Sequence, residues 1–132
     1  NDMPIGISAH VCYSDIDVDL PATQSAKVIA EIIRGAIGFK GLLLSDDLSM
    51  EALSGNLGER AGAALAAGCD VGLHCNGKLD EMADVIASVG SLSADAIRRW
   101  GDSKKLLKKD NINKFSELTD VFNNIIEAFD HN

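Results

Sequence analysis

Three short apolar runs punctuate the chain, and a stretch of helical length follows each one. The runs are Ile5 to Tyr13 (IGISAHVCY), Gly41 to Ser45 (GLLLS) and Cys69 to Cys75 (CDVGLHC). Each is short, apolar and bounded by proline, glycine or polar residues, which is the pattern of a buried strand. Behind the first, Val28, Ile29, Ile32, Ile33, Ala36 and Ile37 recur at helical spacing. Pro21 with Thr23 or Ser25 opens that helix, Ser25 serves as its N-cap, and Gly38 stops it. Glu59 to Ala67 reads as an alanine-rich helix closed by Gly68, and Leu79 to Val89 as an amphipathic one. Strands joined through segments this long pair in parallel by helical crossovers. The middle run is apolar on both faces, as a strand covered on both sides should be. The expected class is therefore α/β.

Beyond Ser91 the alternation stops. Ala94 to Leu107 and Ser116 to Phe129 read as two helices with no strand between them, joined by a short linker from Asp110 to Lys114. The expected organisation is three βα units over residues 1–90 and C-terminal helices over 91–132. Lys104, Lys105, Lys108 and Lys109 fall late in the first of these helices. They read as a solvated face whose charge suits the helix dipole.

The 132 residues suit one modest domain, and aromatic residues make up only 5%, so the core must be aliphatic. A net charge of −8 argues against a nucleic-acid partner, which calls for a basic patch. Cys12, Cys69 and Cys75 are odd in number and form no CxxC pair. They read as small apolar side chains in a reducing compartment, not as a disulfide framework. No apolar run approaches the ~18 residues of a membrane span, and no signal peptide is visible. The chain starts Asn1-Asp2-Met3-Pro4 and becomes apolar almost at once, which reads as a piece of a longer protein.

Functional groups of parallel α/β folds gather at the carboxyl ends of strands. The first end offers His10, Tyr13 and Asp15; the second Ser45, Asp46 and Asp47; the third His74, Cys75 and Asn76. Period two places Asp46 with Leu42 and Leu44 on one face of the middle strand, and Asp47 with Leu43 and Ser45 on the other. One carboxylate can then face a cleft while the other caps the following turn near Ser49. Spacing alone also allows a purely structural aspartate pair, core histidines at positions 10 and 74, and core cysteines at 69 and 75. A metal site has no supporting HExxH-type spacing. An Asp46-Asp47 magnesium site for phosphoryl transfer would need a glycine-rich phosphate loop or a basic clamp, and the sequence has neither.

The segment GFKGLLLSDDLSMEAL resembles the nucleophile segment of glycoside hydrolase family 3, in the form found in bacterial β-N-acetylglucosaminidases. SAHVCYSDIDVDLPAT and ERAGAALAAGCDVGLHCNG resemble two further segments of that group, in the right order and spacing. The resemblance covers about Met3 to Gly77 and implies the last three strands, six to eight, of a TIM-like (β/α)8 barrel. It also implies retaining hydrolysis of terminal β-linked N-acetylglucosamine from peptidoglycan turnover fragments, in the cytoplasm, without cofactor or metal. Asp46 matches the nucleophile. Asp47 and Ser45 take supporting places, while His10 and Met50 match positions lining the sugar pocket. The family's acid/base loop, with its Lys-His-x-Pro-Gly-His-Gly motif, does not occur here, and neither His10 nor His74 matches it. The missing N-terminal half of the barrel is thus an expected partner, and a catalytically silent interaction fragment is the rival expectation for this chain alone.

Overall fold

The structure is a computed structural model and describes residues 3–110, the side chains as far as residue 107. Three parallel strands form one sheet in the order β1 (Ile5–Ile7), β2 (Leu42–Asp47), β3 (Val71–Leu73). β1 and β2 align Ile5 with Leu42 and Ile7 with Leu44. The expected α/β class with helical crossovers is what forms.

The first crossover holds a 3-10 turn, Ala22–Gln24, and a π-helix, Val28–Ala36. Ser25 sits just ahead of the helical residues, and its hydroxyl oxygen accepts the Val28 amide at 3.1 Å. The same hydroxyl donates to Asp17 Oδ2 at 2.6 Å, which fixes the chain entering the helix. The wider π turn carries later residues off the buried face. Val28 and Ile29 are buried, whereas Ile37, expected on the same stripe, is exposed. Gly38, at φ 70°, turns the chain out of the helix. Gly41 then passes so close beneath the first strand that a side chain there would meet the Pro4 carbonyl oxygen at 2.5 Å.

The second crossover is α1 (Leu57–Ala67). It starts two residues before the expected Glu59, because Asn56 caps it. Asn56 Oδ1 accepts the Glu59 amide and Glu59 Oε2 accepts the Asn56 amide, both at 2.9 Å. This reciprocal capping box satisfies two amide donors at the helix start. Ala61 and Ala64 are fully buried, and such small side chains let α1 sit close to Leu43 and Cys69. The core joins these to Ile29, Leu48 and Leu53. α2 (Leu79–Ser88) follows β3, and α3 (Ala94–Asp110) follows α2.

α3 is fastened to the foot of the sheet, where the strands begin. Ser103 Oγ donates to the Pro4 carbonyl oxygen. Arg99 reaches Asp70, whose side chain is only 3% exposed, at 2.6 Å. Asp70 also accepts Arg34 of the π-helix at 2.8 Å and the Leu43 amide of β2 at 2.9 Å. One buried carboxylate therefore ties β2, β3, the π-helix and α3 together. Burial of an ionised group is tolerated only with this degree of pairing.

Two expected strands prove shorter. After Ser8 the chain leaves the sheet and pairs with the 3-10 turn: Ala9 O accepts Thr23 N at 3.1 Å and Val11 O accepts Ala22 N at 2.8 Å. The third ladder is confined to Val71–Leu73. Cys69 is buried as expected, but Cys12 and Cys75 are exposed. The expected helix over 116–129 and nearly all of the 110–114 linker lie outside the described residues.

Candidate active site

The carboxyl ends of the three strands bring His10, Ser45, Asp46, Asp47 and His74 into one neighbourhood. A local irregularity in β2 arranges them. Leu44 pairs with Val71 and Asp47 with Leu73, so β2 spends one more residue than β3 over that interval. Such a bulge re-aims the side chains around it. Ser45, fully buried, supplies what the disturbed ladder lacks: its Oγ accepts the Leu73 amide at 2.9 Å.

Asp46 is half-buried. Its Oδ1 accepts the Asp47 amide at 2.9 Å. Its Oδ2 accepts no hydrogen bond from the described residues, so one carboxylate oxygen is left for chemistry.

Asp47 is engaged throughout. Oδ1 accepts the Ser49 amide at 3.0 Å and the Cys75 amide at 3.2 Å, while Oδ2 accepts the Ser49 hydroxyl at 2.7 Å. Burial works to raise its carboxyl. The Ser49 amide and hydroxyl, the Cys75 amide and nearby His74 outweigh that and hold it below the usual carboxylate range. Asp47 therefore joins the loop after β2 to the end of β3.

His10 is anchored at both nitrogens. Nε2 donates to the Asp47 carbonyl oxygen at 3.0 Å, which places a proton on that nitrogen. Nδ1 lies 3.0 Å from Thr23 Oγ1, and Thr23 Oγ1 shares a 2.8 Å hydrogen bond with Ser8 Oγ. This run of hydroxyls leads out of the buried interior and ends on the backbone of the aspartate pair. Met50 lies in the next turn, 44% exposed, with its amide also directed to the Asp47 carbonyl at 3.1 Å.

Thr23 and Arg60 are the residues that sequence reasoning missed here. Thr23 is fully buried beneath His10. Arg60 of α1 donates to the carbonyl oxygens of Leu48 at 3.0 Å, Met50 at 3.1 Å and Gly55 at 2.9 Å, lacing the loop that carries Met50. No motif marks either residue, because both act on backbone atoms that only the fold brings near.

His74 lies near Asp47 but shares no hydrogen bond with the aspartate pair. Its side chain is 6% exposed, and Nε2 lies 3.3 Å from Glu81 Oε2 without hydrogen-bond alignment. Among the described residues no group of three or more His, Cys, Asp or Glu side chains is disposed to hold a metal ion. No described helix is long and apolar enough to cross a membrane.

Residues 3–100 match the glycosyl hydrolase family 3 N-terminal domain. Over 77 residues the chain is 48% identical to a β-hexosaminidase of Tolumonas auensis, covering 57% of this chain and 23% of that one. Over 101 residues it is 42% identical to a β-hexosaminidase of Bordetella pertussis, covering 74% and 28% respectively. The chain thus spans about a quarter of the length of the curated relatives it matches. Among solved structures it superimposes on NagZ from Neisseria gonorrhoeae, in complex with N-trifluoroacetyl-D-glucosamine. The TM-score is 0.61 and the identity 31%, over 83% of this chain and 32% of that one. The parallel sheet with helical crossovers is accordingly part of a TIM-barrel-like α/β fold, and the chain belongs to glycosyl hydrolase family 3 through its N-terminal domain.

Proposed function

We propose that this chain is the nucleophile-bearing part of a retaining glycoside hydrolase that removes terminal β-linked N-acetylglucosamine. The observation that carries the reading is the contrast within the aspartate pair. Asp47 spends its carboxylate on Ser49 and Cys75, whereas Asp46 keeps Oδ2 open beside it. Two adjacent carboxylates with such different engagements divide naturally into a reacting group and a holding group.

In this reading the Asp46 carboxylate attacks the anomeric carbon as the glycosidic C–O bond breaks. The leaving oxygen takes a proton from an acid outside this chain, on the N-terminal part of the barrel. A glycosyl ester on Asp46 remains until water attacks the same carbon and frees the sugar. Ser45 and His10 hold the strand end from which Asp46 projects, and His10 and Met50 line the sugar pocket. The three strands take places six to eight of the barrel, with residues 1–90 forming three βα units and 91–132 the closing helices. The substrates are N-acetylglucosaminyl muropeptides released in peptidoglycan recycling in the bacterial cytoplasm. The relatives' names and the bound N-trifluoroacetyl-D-glucosamine of the Neisseria enzyme support the sugar.

The test is to trap the complete parent enzyme with a slow fluorinated N-acetylglucosaminide and map the labelled peptide by mass spectrometry. The expected label is on Asp46. A label on Asp47, or on any other residue, overturns the assignment.

A further inference from the structure

The end of β3 carries a buried side chain that takes no part in the hydrogen bonds of the aspartate pair. The His74 ring is only 6% exposed, and neither of its nitrogens has a hydrogen-bond partner among the described residues. Buried polar atoms are nearly always paired, so an imidazole with two unpaired nitrogens calls for an account. Its neighbours are carboxylates. Nε2 lies 3.3 Å from Oε2 of Glu81, in the first turn of α2. Asp47 of β2 is near enough for the two charges to interact. The cations around Glu81 are already engaged. Lys78, just ahead of α2, donates to Glu81 Oε1 at 2.9 Å. Arg60 of α1, which lines one cavity with Glu81 and Asp84, is committed to loop carbonyls.

A neutral imidazole fits this place poorly. Whichever tautomer it takes, one nitrogen is a bare acceptor, and ionised carboxylates have no proton to give it. The imidazolium fits better. Both nitrogens then carry protons, and the charges of Glu81 and Asp47 offset the cost of burying its own. Glu81 is also the residue that gathers the turn between β3 and α2. Its Oε2 accepts the Asn76 side-chain amide, and Asn76 Oδ1 accepts the Lys78 amide at 2.9 Å. The Lys78 carbonyl accepts the Met82 amide at 3.0 Å. Lys78 is the N-cap residue of α2 and gives it no side-chain cap, so the start of that helix depends on what holds Glu81.

We propose that His74 is a proton-operated clasp, which in its charged form pairs with Glu81 and fastens the end of β3 to the first turn of α2. The pair holds while the imidazole is charged and is lost as pH rises through its titration. Losing the proton frees the turn from Asn76 to Glu81, at the same end of the sheet as the aspartate pair.

The test uses the complete parent enzyme with nitrogen-labelled histidine rings, followed by NMR from about pH 5 upward until the His74 ring is neutral. The signal of His74 is the one missing from His74→Gln. The expected ring is charged at the acid end and loses its proton as pH rises. In step with that loss, the Lys78 and Met82 amides should become several-fold less protected from exchange, after correction for the intrinsic pH dependence. The Leu44 amide of β2 should stay as protected as before, which separates the clasp from general unfolding. Glu81→Gln keeps the side chain's size and should remove the pH dependence of protection at Lys78 and Met82. If His74→Gln does not fold, Glu81→Gln identifies the signal instead, as the ring that gives up its proton at lower pH than in the parent. Three results overturn the proposal: a ring already neutral at about pH 5, protection that does not follow the ring's titration, or a pH dependence that survives Glu81→Gln. None of these readouts involves sugar, so they stand or fall apart from the assignment of Asp46.

Discussion

The aspartate pair divides its labour through hydrogen bonds, and that division is testable residue by residue. If Asp46 is the nucleophile as proposed, Asp46→Ala in the complete enzyme should abolish turnover, because the covalent ester needs that carboxylate. Asp47→Ala should instead loosen the Ser49 turn and the end of β3, seen as faster amide exchange at Ser49 and Cys75. A pH dependence follows from the lowered Asp47 carboxyl. A folded-state value below the unfolded ~3.9 means that this tie is complete above the unfolded value. It is lost as pH falls through the lower folded one. Amide exchange at Ser49 and Cys75 should accelerate across that acid window, and Asp47→Asn should remove the dependence. Much of this was legible in Ser45-Asp46-Asp47, since period two separates the carboxylates and an aspartate two residues before Ser49 suits a capped turn. The bulge was not legible. It arises from the pairing between β2 and β3, and Ser45 gives no local sign that its hydroxyl will stand in for a backbone acceptor. The hold of His10 on the Asp47 carbonyl was equally hidden, for its partners lie 13 and 37 residues away.

At the scale of elements, glycine stops and helical stripes were readable because they are local. Gly68 caps α1 at φ 116°, and Gly38 follows the π-helix at φ 70°. The lengths of β1 and β3 were harder to read. Ala9 and Val11 are apolar enough for a strand but give their carbonyls to the 3-10 turn instead. The π character of Val28–Ala36 has no signature in an isoleucine-rich stripe. The strongest link between elements is the Asp70 cluster. Asp70→Ala leaves Arg34 and Arg99 facing one another without their carboxylate and frees the Leu43 amide. Breaking a buried pair in this way should cost about 3–5 kcal/mol. Chemical denaturation of the complete enzyme checks this, with the loss expected in the midpoint and not in the slope.

At the scale of the whole molecule, the three parallel strands have, among the described residues, two open edges and an incompletely covered inner face. Met3 and Ile7 are 64% and 60% exposed, on or beside the edge strand β1. Open edges of this kind pair with whatever strand arrives. The 132-residue chain alone should therefore self-associate through the sheet, and sedimentation velocity should show species larger than a monomer. On the proposed reading, with the acid outside this chain and Asp46 as nucleophile, it should also fail to release chromophore from a β-N-acetylglucosaminide. A carboxylate nucleophile without an acid to protonate the leaving group forfeits about 10²–10⁴-fold in rate, quite apart from lost binding contacts. The Asp70 cluster finally bears on the order in which the protein can be made. Its parts come from positions 34, 43, 70 and 99, so the last guanidinium leaves the ribosome well after the whole sheet has been synthesised. Until then the carboxylate at the foot of β3 has only one of its two cations. A nascent chain arrested between β3 and α3 should be cut readily by protease, and one released well past Asp110 should resist. Translation itself then sets the moment at which the strand bearing Asp46 becomes fixed.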